Sequence, residues 1–346
     1  MTTSTRPIGI YYEHPDWFRP LFREFDRRGT PYVLLDAARH SYDATNGDGS
    51  QFGLVFNRMS PSAYLRGRGD SILYTHNYLA HLEQLGVRVV NGVRAFRTET
   101  SKALQLSLLK SLGLPFPAAR VIHNPEQAPA AALGLRFPVV VKANIGGSGA
   151  GIVRFDTIED LKQGVANGVI DLGVDQTALV QEFIPARDGH ITRVEVLGGT
   201  YLYAIDVYSS GDSFNLCPAD ICQTNDGVAL ARSACAADAP RNNLRVDGTT
   251  PPDDVIADVD AIMAAAGIDV GGVEYFVDDR DGTRYYYDIN ALSNFVADAP
   301  RVVGFDPWVN FVDYLERRVA RESGAGIGNR EGRAGSRIPV PAPVGA

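Results

Sequence analysis

The chain has 346 residues, a net charge of −8, 45% apolar and 21% charged residues. That length exceeds what one compact core usually needs, so two or three subdomains are expected. The acidic balance argues against a sequence-blind nucleic-acid binder, which presents a strongly basic surface, and no apolar run approaches the roughly 20 residues of a membrane span. The N-terminus, MTTSTRPIGIYYEHP, has no charged-then-apolar leader. Cys217, Cys222 and Cys235 include no C-x-x-C pair and read as reduced thiols rather than a zinc knuckle. A cytoplasmic protein is the expectation.

Pro7–Tyr12 reads as a strand, followed by a helix over Asp16–Arg28 with Trp17, Leu21, Phe22 and Phe25 at helical spacing. Asp16 is the expected N-cap and Gly29 the residue past the end. Tyr32–Leu35 and Gly53–Phe56 are further strands. A helix over Ser71–Leu85 then leads to a strand at Val87–Val90. Alternating strands and helices imply a mostly parallel sheet. The spacing of Leu104, Leu108 and Leu112 predicts one helix over Thr98–Leu112, closed by Gly113 and the extended GLPFP run. Strands and one short helix follow to about Leu179, and ALVQEFIP (178–185) reads as a strand linking two lobes. Gly198–Gly199 predicts a tight turn between Val194–Leu197 and Tyr201–Val207. Residues 208–250 show no sustained period and read as a functional loop or lid. Pro252–Ala266 and Pro307–Arg318 are helices, and the apolar-poor tail from Ser323 is expected to be disordered. These breaks divide the chain into an N-terminal α/β domain (1–95), a central lobe (96–180), a C-terminal lobe (181–322) and a tail (323–346).

Two segments carry chemistry. In FPVVVKANIGGSGAG (137–151), Lys142 ends an apolar strand, and glycines 146, 147, 149 and 151 follow it. A P-loop places its lysine after the glycines, and a dinucleotide fingerprint needs a helix after its loop. Here the glycines join two strands. The side-chain-free amides can close over phosphates, and Lys142 supplies a point charge to them. The other reading is a plain glycine-rich turn with a solvated lysine.

In GGVEYFVDDRDGTRYYYDIN (271–290), Asp288 and Asn290 share a strand face. A three-residue turn at Arg280–Gly282, with Gly282 left-handed, pairs Asp279 with Thr283. Counting back five residues on each side sets Glu274 opposite Asp288, with Asn290 diagonally beyond. Two carboxylates and an amide oxygen then converge, a hard-oxygen set suited to Mg²⁺. Directly opposed acids repel unless a cation lies between them. Val273, Tyr275, Val277, Tyr285, Tyr287 and Ile289 are expected on the opposite, core face.

In this order and at this separation the two segments resemble the ATP-grasp ligases, specifically the RimK-type and glutathione-synthetase-like branch. The resemblance covers about residues 90–320. It implies an α/β (α+β) ATP-grasp fold, with a Rossmann-like pre-ATP-grasp domain and two lobes clasping ATP. It assigns ATP phosphates to Lys102, which precedes GLPFP, and to Lys142. The glycine loop Gly146, Gly147, Ser148 and Gly149 closes over them. The adenine falls to Gln181, Glu182, Phe183 and Ile184, held mainly through backbone. The resemblance also makes Arg193 and Lys142 catalytic and Glu274, Asp288 and Asn290 metal ligands. Asn215 matches a lid residue. Arg58, with Asn57 at the end of a predicted strand, is a candidate for the acid substrate or else a capping or surface pair. Departures lie on the substrate side: Ile191 stands two before Arg193 where many relatives carry an acid, and ALSNF follows Asn290.

The implied activity is an ATP-dependent carboxylate–amine ligase that works through an acylphosphate. Its expected cofactors are ATP and two Mg²⁺ or Mn²⁺ ions. The implied substrates are a small carboxylate and an amine, amino acids or short peptides, with no nucleic acid or membrane partner. A homodimer is the commonest soluble assembly. A small-molecule kinase and a non-catalytic ATP-binding module remain alternatives. His14, His76, His81, His123 and His190 read as structural.

Overall fold

The computed structural model describes residues 6–14, 16–47, 49–146, 151–208 and 245–328. The chain opens with β1 (Ile8–Tyr12), α1 (Arg19–Arg28), β2 (Tyr32–Asp36), β3 (Leu54–Arg58), α2 (Gly69–Gln84) and β4 (Val89–Val90). The four strands form a parallel sheet in the order β2-β1-β3-β4. Helix α1 starts three residues later than expected. Pro20 lies at its first or second position, and a proline deeper inside would remove an intrahelical bond. Asp16 is therefore not the N-cap; its carboxylate turns to the Arg19 guanidinium. Gly29 does end the helix, in the left-handed conformation.

The single helix expected over 98–112 is two, α3 (Val93–Glu99) and α4 (Lys102–Ser111). The break has a local cause. Ser101 is extended, and its side chain accepts from Leu104 N, so it caps α4. Next come β5 (Ala119–Ile122), α5 (Ala128–Ala131), β6 (Val139–Ala143), β7 (Val153–Phe155), α6 (Ile158–Ala166) and β8 (Ala178–Glu182). Two short helices stand where one was expected. The strands make an antiparallel sheet in the order β5-β8-β6-β7. Its inner face (Val139, Val141, Ala178, Val180) packs on Ala128, Ala132 and Leu161 as a separate core. Strand alternation puts Val140, Lys142, Leu179 and Gln181 on the other face.

The remainder is β9 (His190–Leu197), β10 (Thr200–Tyr208), β11 (Arg245–Thr249), α7 (Asp253–Ala266), β12 (Val270–Val277), β13 (Arg284–Asn290), α8 (Ala299–Val302) and α9 (Pro307–Gly328). Its five strands form an antiparallel sheet in the order β11-β10-β9-β12-β13. The turn at Gly198–Gly199 is as expected, with both residues at positive φ. Two expectations shift. Residues 245–249, inside the stretch read as irregular, pair with β10 as an edge strand. Helix α9 runs to Gly328, past the point where the tail was expected to begin. The three cysteines, and the lid and tail beyond these limits, lie outside the described residues.

Helix α7 covers one face of the five-stranded sheet, packing Val255, Val259 and Ile262 on Val194, Val273 and Ile289. The other face joins the parallel sheet and α9 in one continuous core, with Ile10, Phe56, Ile191, Tyr203, Ile205, Phe311 and Leu315. Phe56 meets Phe311 edge-on with centroids 4.8 Å apart; burying each such ring contributes about 2–3 kcal/mol. At the rim Arg28 donates to Asp313 at 2.5 Å and to Glu316 at 3.0 Å, tying α1 to α9. Among the described residues no helix is long and apolar enough to cross a membrane.

Candidate active site

Three adjacent strands build a two-row lattice of side chains. Strand β12 pairs with β9 so that Glu274 faces Arg193 and Gly272 faces Glu195. It pairs with β13 so that Glu274 faces Asp288 and Gly272 faces Asn290. One row is therefore Arg193–Glu274–Asp288, the other Glu195–Gly272–Asn290.

The expected opposition of Glu274 and Asp288 is present, but it arises from two compensating shifts. At the turn Asp278 N donates to Thr283 O at 2.8 Å and Gly282 N to Asp278 O at 2.9 Å. Thr283 thus closes on Asp278, not Asp279. Val277 then pairs with Arg284 and Tyr275 with Tyr286, one residue out of the expected register. A β-bulge between Glu274 and Tyr275 restores it. The bulge also overturns part of the expected core face. Tyr286, rather than Tyr285 or Tyr287, joins Val273, Tyr275 and Ile289 in the core under α7. Tyr287 turns to the site, and its hydroxyl donates to Glu274 Oε2 at 2.5 Å.

The electrostatics follow from burial and neighbours. Arg193 Nε donates to Glu195 Oε1 at 2.6 Å and Nη1 to Glu274 Oε1 at 3.0 Å, and all three side chains are buried. Burial raises the Glu274 carboxyl above its usual range, and the facing Asp288 raises it further. Burial also opposes ionisation of Asp288, but Lys102, Lys142 and Arg193 outweigh it and hold that group low. Lys102 Nζ lies 2.8 Å from Asp288 Oδ1, and Asn290 Nδ2 donates to Asp288 Oδ2 at 3.3 Å.

Lys102 begins α4, and Lys142 lies on β6, where it is 7% exposed. Buried Asn144 joins the two segments. Its carbonyl oxygen accepts from Ser101 Oγ at 3.2 Å and from Ala103 N at 2.9 Å, and its amide donates to Asp175 at 2.6 Å. Gly146 comes beside Lys102: a Cβ there would lie 3.9 Å from Lys102 Cε. Gly147, Ser148, Gly149 and Asn215 lie outside the described residues.

The linking segment is more occupied than its sequence suggests. The Glu182 and Phe183 N–H groups donate to Ala118 O and Pro138 O, each at 2.9 Å. The Glu182 carboxylate accepts from Arg136 N at 2.8 Å, and Ile184 is in the main core. The Phe183 ring lies 5.1 Å from the Arg154 guanidinium carbon, and Gln181 is buried on the Lys142 face of the sheet.

Asn57 and Arg58 separate in role. Asn57 bonds Asn91 O and Met59 N, the capping reading. Arg58 lies over the Phe18 ring at 4.1 Å and donates to Asn294 Oδ1 at 2.9 Å. It reaches from the C-terminal end of β3 into the loop after Asn290. Three of the five histidines named above have structural partners: His14 stacks on Trp17, His81 stacks on Tyr42, and His76 bonds Thr100.

Sequence reading missed the group that fixes the end of β13. Gln105 bonds both Ile289 N and Ile289 O; the Glu99 carboxylate accepts from Ala291 N; Asn91 Nδ2 donates to Ala291 O. Three buried polar side chains thus bracket Asn290. Glu195 was also missed, although its place two residues from Arg193 on the same strand face was the available signal. Among the described residues, no group of three His, Cys, Asp or Glu side chains is arranged to hold a metal ion. The candidate ligand set is two carboxylates and an amide.

Residues 99–216 match the RimK-like ATP-grasp domain family. The chain is 27% identical over 206 residues to a D-alanine–D-alanine ligase of Haemophilus influenzae (strain PittEE), covering 56% of this chain and 65% of that one. It is 31% identical over 141 residues to a probable alpha-L-glutamate ligase of Thioalkalivibrio sulfidiphilus (strain HL-EbGR7), covering 40% of this chain and 45% of the relative. Among solved structures it is similar to a RimK domain protein ATP-grasp from Sphaerobacter thermophilus. There the TM-score is 0.62 at 21% identity, over 89% of this chain and 98% of that chain. The chain has the mixed α/β fold of the ATP-grasp ligases. Residues 99–216 carry a RimK-like ATP-grasp domain.

Proposed function

We propose that this chain is an ATP-dependent carboxylate–amine ligase. The observation that carries the reading is the row of buried Arg193 and Glu274 with half-buried Asp288, with Lys102 on Asp288 and Lys142 close enough to lower it. It sets two acids and three cations against one another where phosphate and a divalent cation would meet.

The donor chemistry fits a hard cation. Glu274 and Asp288 face each other, burial and then the facing Asp288 raise the Glu274 carboxyl, and Asn290 adds an amide oxygen. Mg²⁺ held there would neutralise phosphate charge. Lys102 and Lys142 bind the α- and β-phosphates as point charges. Gly146 and the loop it begins close over them. The face bearing Val140, Leu179 and Gln181 receives the base, next to the Glu182–Ile184 backbone.

A carboxylate oxygen of the acid substrate attacks the γ-phosphorus; the bond to the bridging oxygen breaks and ADP leaves. The amine nitrogen then attacks the acyl carbon, loses a proton, and inorganic phosphate departs with the C–O bond electrons. Arg193 stabilises charge on the transferring phosphoryl group and then on the tetrahedral centre. Arg58 contacts the acid substrate. The named activities of the two relatives, with D-alanine and glutamate, support amino acids as substrates. A soluble, cytoplasmic enzyme is part of the same reading.

The test is turnover of Mg·ATP against pooled amino acids, dipeptides and small carboxylates, with mass spectrometry of the products and Lys142→Ala as control. Equal ADP and phosphate, with a product one water lighter than its two substrates, is the expected result. A phosphorylated product without free phosphate would make the chain a kinase.

A further inference from the structure

One position of the lattice has no side chain. Gly272 lies between Glu195 and Asn290 in the middle of β12. A Cβ built there would stand 2.9 Å from both Arg193 Nε and Nη2 and 3.0 Å from Cζ. The guanidinium therefore lies across bare backbone, in the space a side chain would fill. A glycine inside a strand weakens it, and such a glycine marks a close approach of another group.

The guanidinium is gripped at two sides. Glu195 accepts from Nε and Glu274 from Nη1, and the three side chains are 2% exposed or less. A buried ion pair is seldom more stable than apolar packing of equal volume, so stability alone does not account for Glu195. A planar guanidinium held by two carboxylates on a flat seat has its direction fixed. Glu195 Oε2 is buried without a hydrogen-bond partner among the described residues, so its carboxylate is committed to Arg193 through one oxygen only.

We infer that Gly272 and Glu195 are positioning residues that seat the Arg193 guanidinium toward the terminal phosphoryl group of ATP. This rests on the role given to Arg193 above. Neither residue touches substrate; each acts through the arginine. The glycine supplies clearance and the glutamate supplies direction.

The experiment is calorimetric titration of the full chain with ADP and with the non-hydrolysable analogue AMPPNP, each with Mg²⁺. The wild type should prefer AMPPNP. Gly272→Ala should lose about tenfold of that preference, the scale of one hydrogen bond to a charged group, with ADP affinity unchanged. Glu195→Ala should lose a similar part, and Glu195→Gln, which keeps an acceptor oxygen, should recover some of it. Arg193→Ala should lose it too, and adding Gly272→Ala to Arg193→Ala should cost nothing more. If Gly272→Ala does not fold, the Glu195 variants carry the test alone. The inference is overturned by a wild type indifferent to the γ-phosphate, by variants that keep the full preference, or by additive losses in the double variant. Because no acid or amine substrate is needed, silence in every turnover assay would undermine the ligase reading and leave this result standing.

Discussion

The two sheets that carry the candidate site hold their functional groups in different ways. On the five-stranded sheet nearly every group is fixed by another side chain: Arg193 by Glu195 and Glu274, Asp288 by Lys102, Glu274 by Tyr287. The C-terminal end of β13 is fixed by Asn91, Glu99 and Gln105. On the four-stranded sheet Lys142 and Gln181 share one face by strand alternation, and the sheet has a core separate from the rest. The difference matches two tasks. Reacting groups need fixed geometry, because small misplacements cost rate. A nucleotide-gripping lobe needs a flat face and freedom to close.

The largest expected effect tests whether both sheets serve one reaction. Asp288→Ala should lower turnover by about a thousandfold, as should Lys142→Ala, through lost charge stabilisation of the phosphoryl transfer. Thermal unfolding should be little changed for Lys142→Ala. Near-normal turnover in either variant, measured as ADP release, would detach that sheet from the chemistry.

How much of this was legible follows from the same contrast. Lys142, the Gly198–Gly199 turn and the alternation of β12 were readable because strand period and glycine content are local properties. The opposition of Glu274 and Asp288 was read correctly through a register wrong by one at the turn, since no sequence signal marks a bulge at Tyr286–Tyr287. The break between α3 and α4 was missed because Leu104, Leu108 and Leu112, which carried the helical spacing, all lie after the cap that Ser101 supplies and say nothing about the residues before it. Glu99, Gln105 and Asn91 were missed for another reason. Their partners are backbone groups about 180–200 residues away, and long-range polar contacts leave no periodic trace.

Glu99 gives the next test, by pH. It is fully buried, and burial pushes its carboxyl from the ordinary 4.5 up to about 8; Asp288 adds to the shift, while the bond from Ala291 N, Lys102 and Arg193 oppose it. A carboxyl raised in the folded state binds its proton more tightly when folded. Its contribution to stability is therefore complete below pH 4.5 and is lost as pH rises through 8. Glu99→Gln keeps an acceptor for Ala291 and cannot ionise. The variant should gain on the wild type as pH rises, by roughly 4–5 kcal/mol across the window, read from denaturant midpoints at pH 5 to 9. A difference that does not change with pH would mean that Glu99 titrates near its ordinary value.

A core truncation asks whether the four-stranded sheet is as separate as its packing implies. Leu161 is fully buried there. Leu161→Ala should cost roughly 2–5 kcal/mol. If the separate core means separate melting, hydrogen exchange should quicken in β5 to β8 and not in β9 to β13. Uniform quickening would merge the two regions into one cooperative unit.

The smallest effect sharpens the comparison from the pinned side. Tyr287→Phe removes one hydrogen bond to Glu274 and leaves the bulge in place. The loss should cost about 1–2 kcal/mol, because the freed carboxylate oxygen stays in a buried site. If fixed geometry is what the five-stranded sheet supplies, the change should appear in the Mg²⁺ concentration needed for half-maximal turnover, which should rise a few-fold. Affinity for the nucleotide measured without Mg²⁺ should not move, since the proposed base site and Lys142 lie on the other sheet. Equal weakening of both would show that the two sheets position their ligands through a shared network. The division between a fixed reacting face and a closing nucleotide face would then be lost.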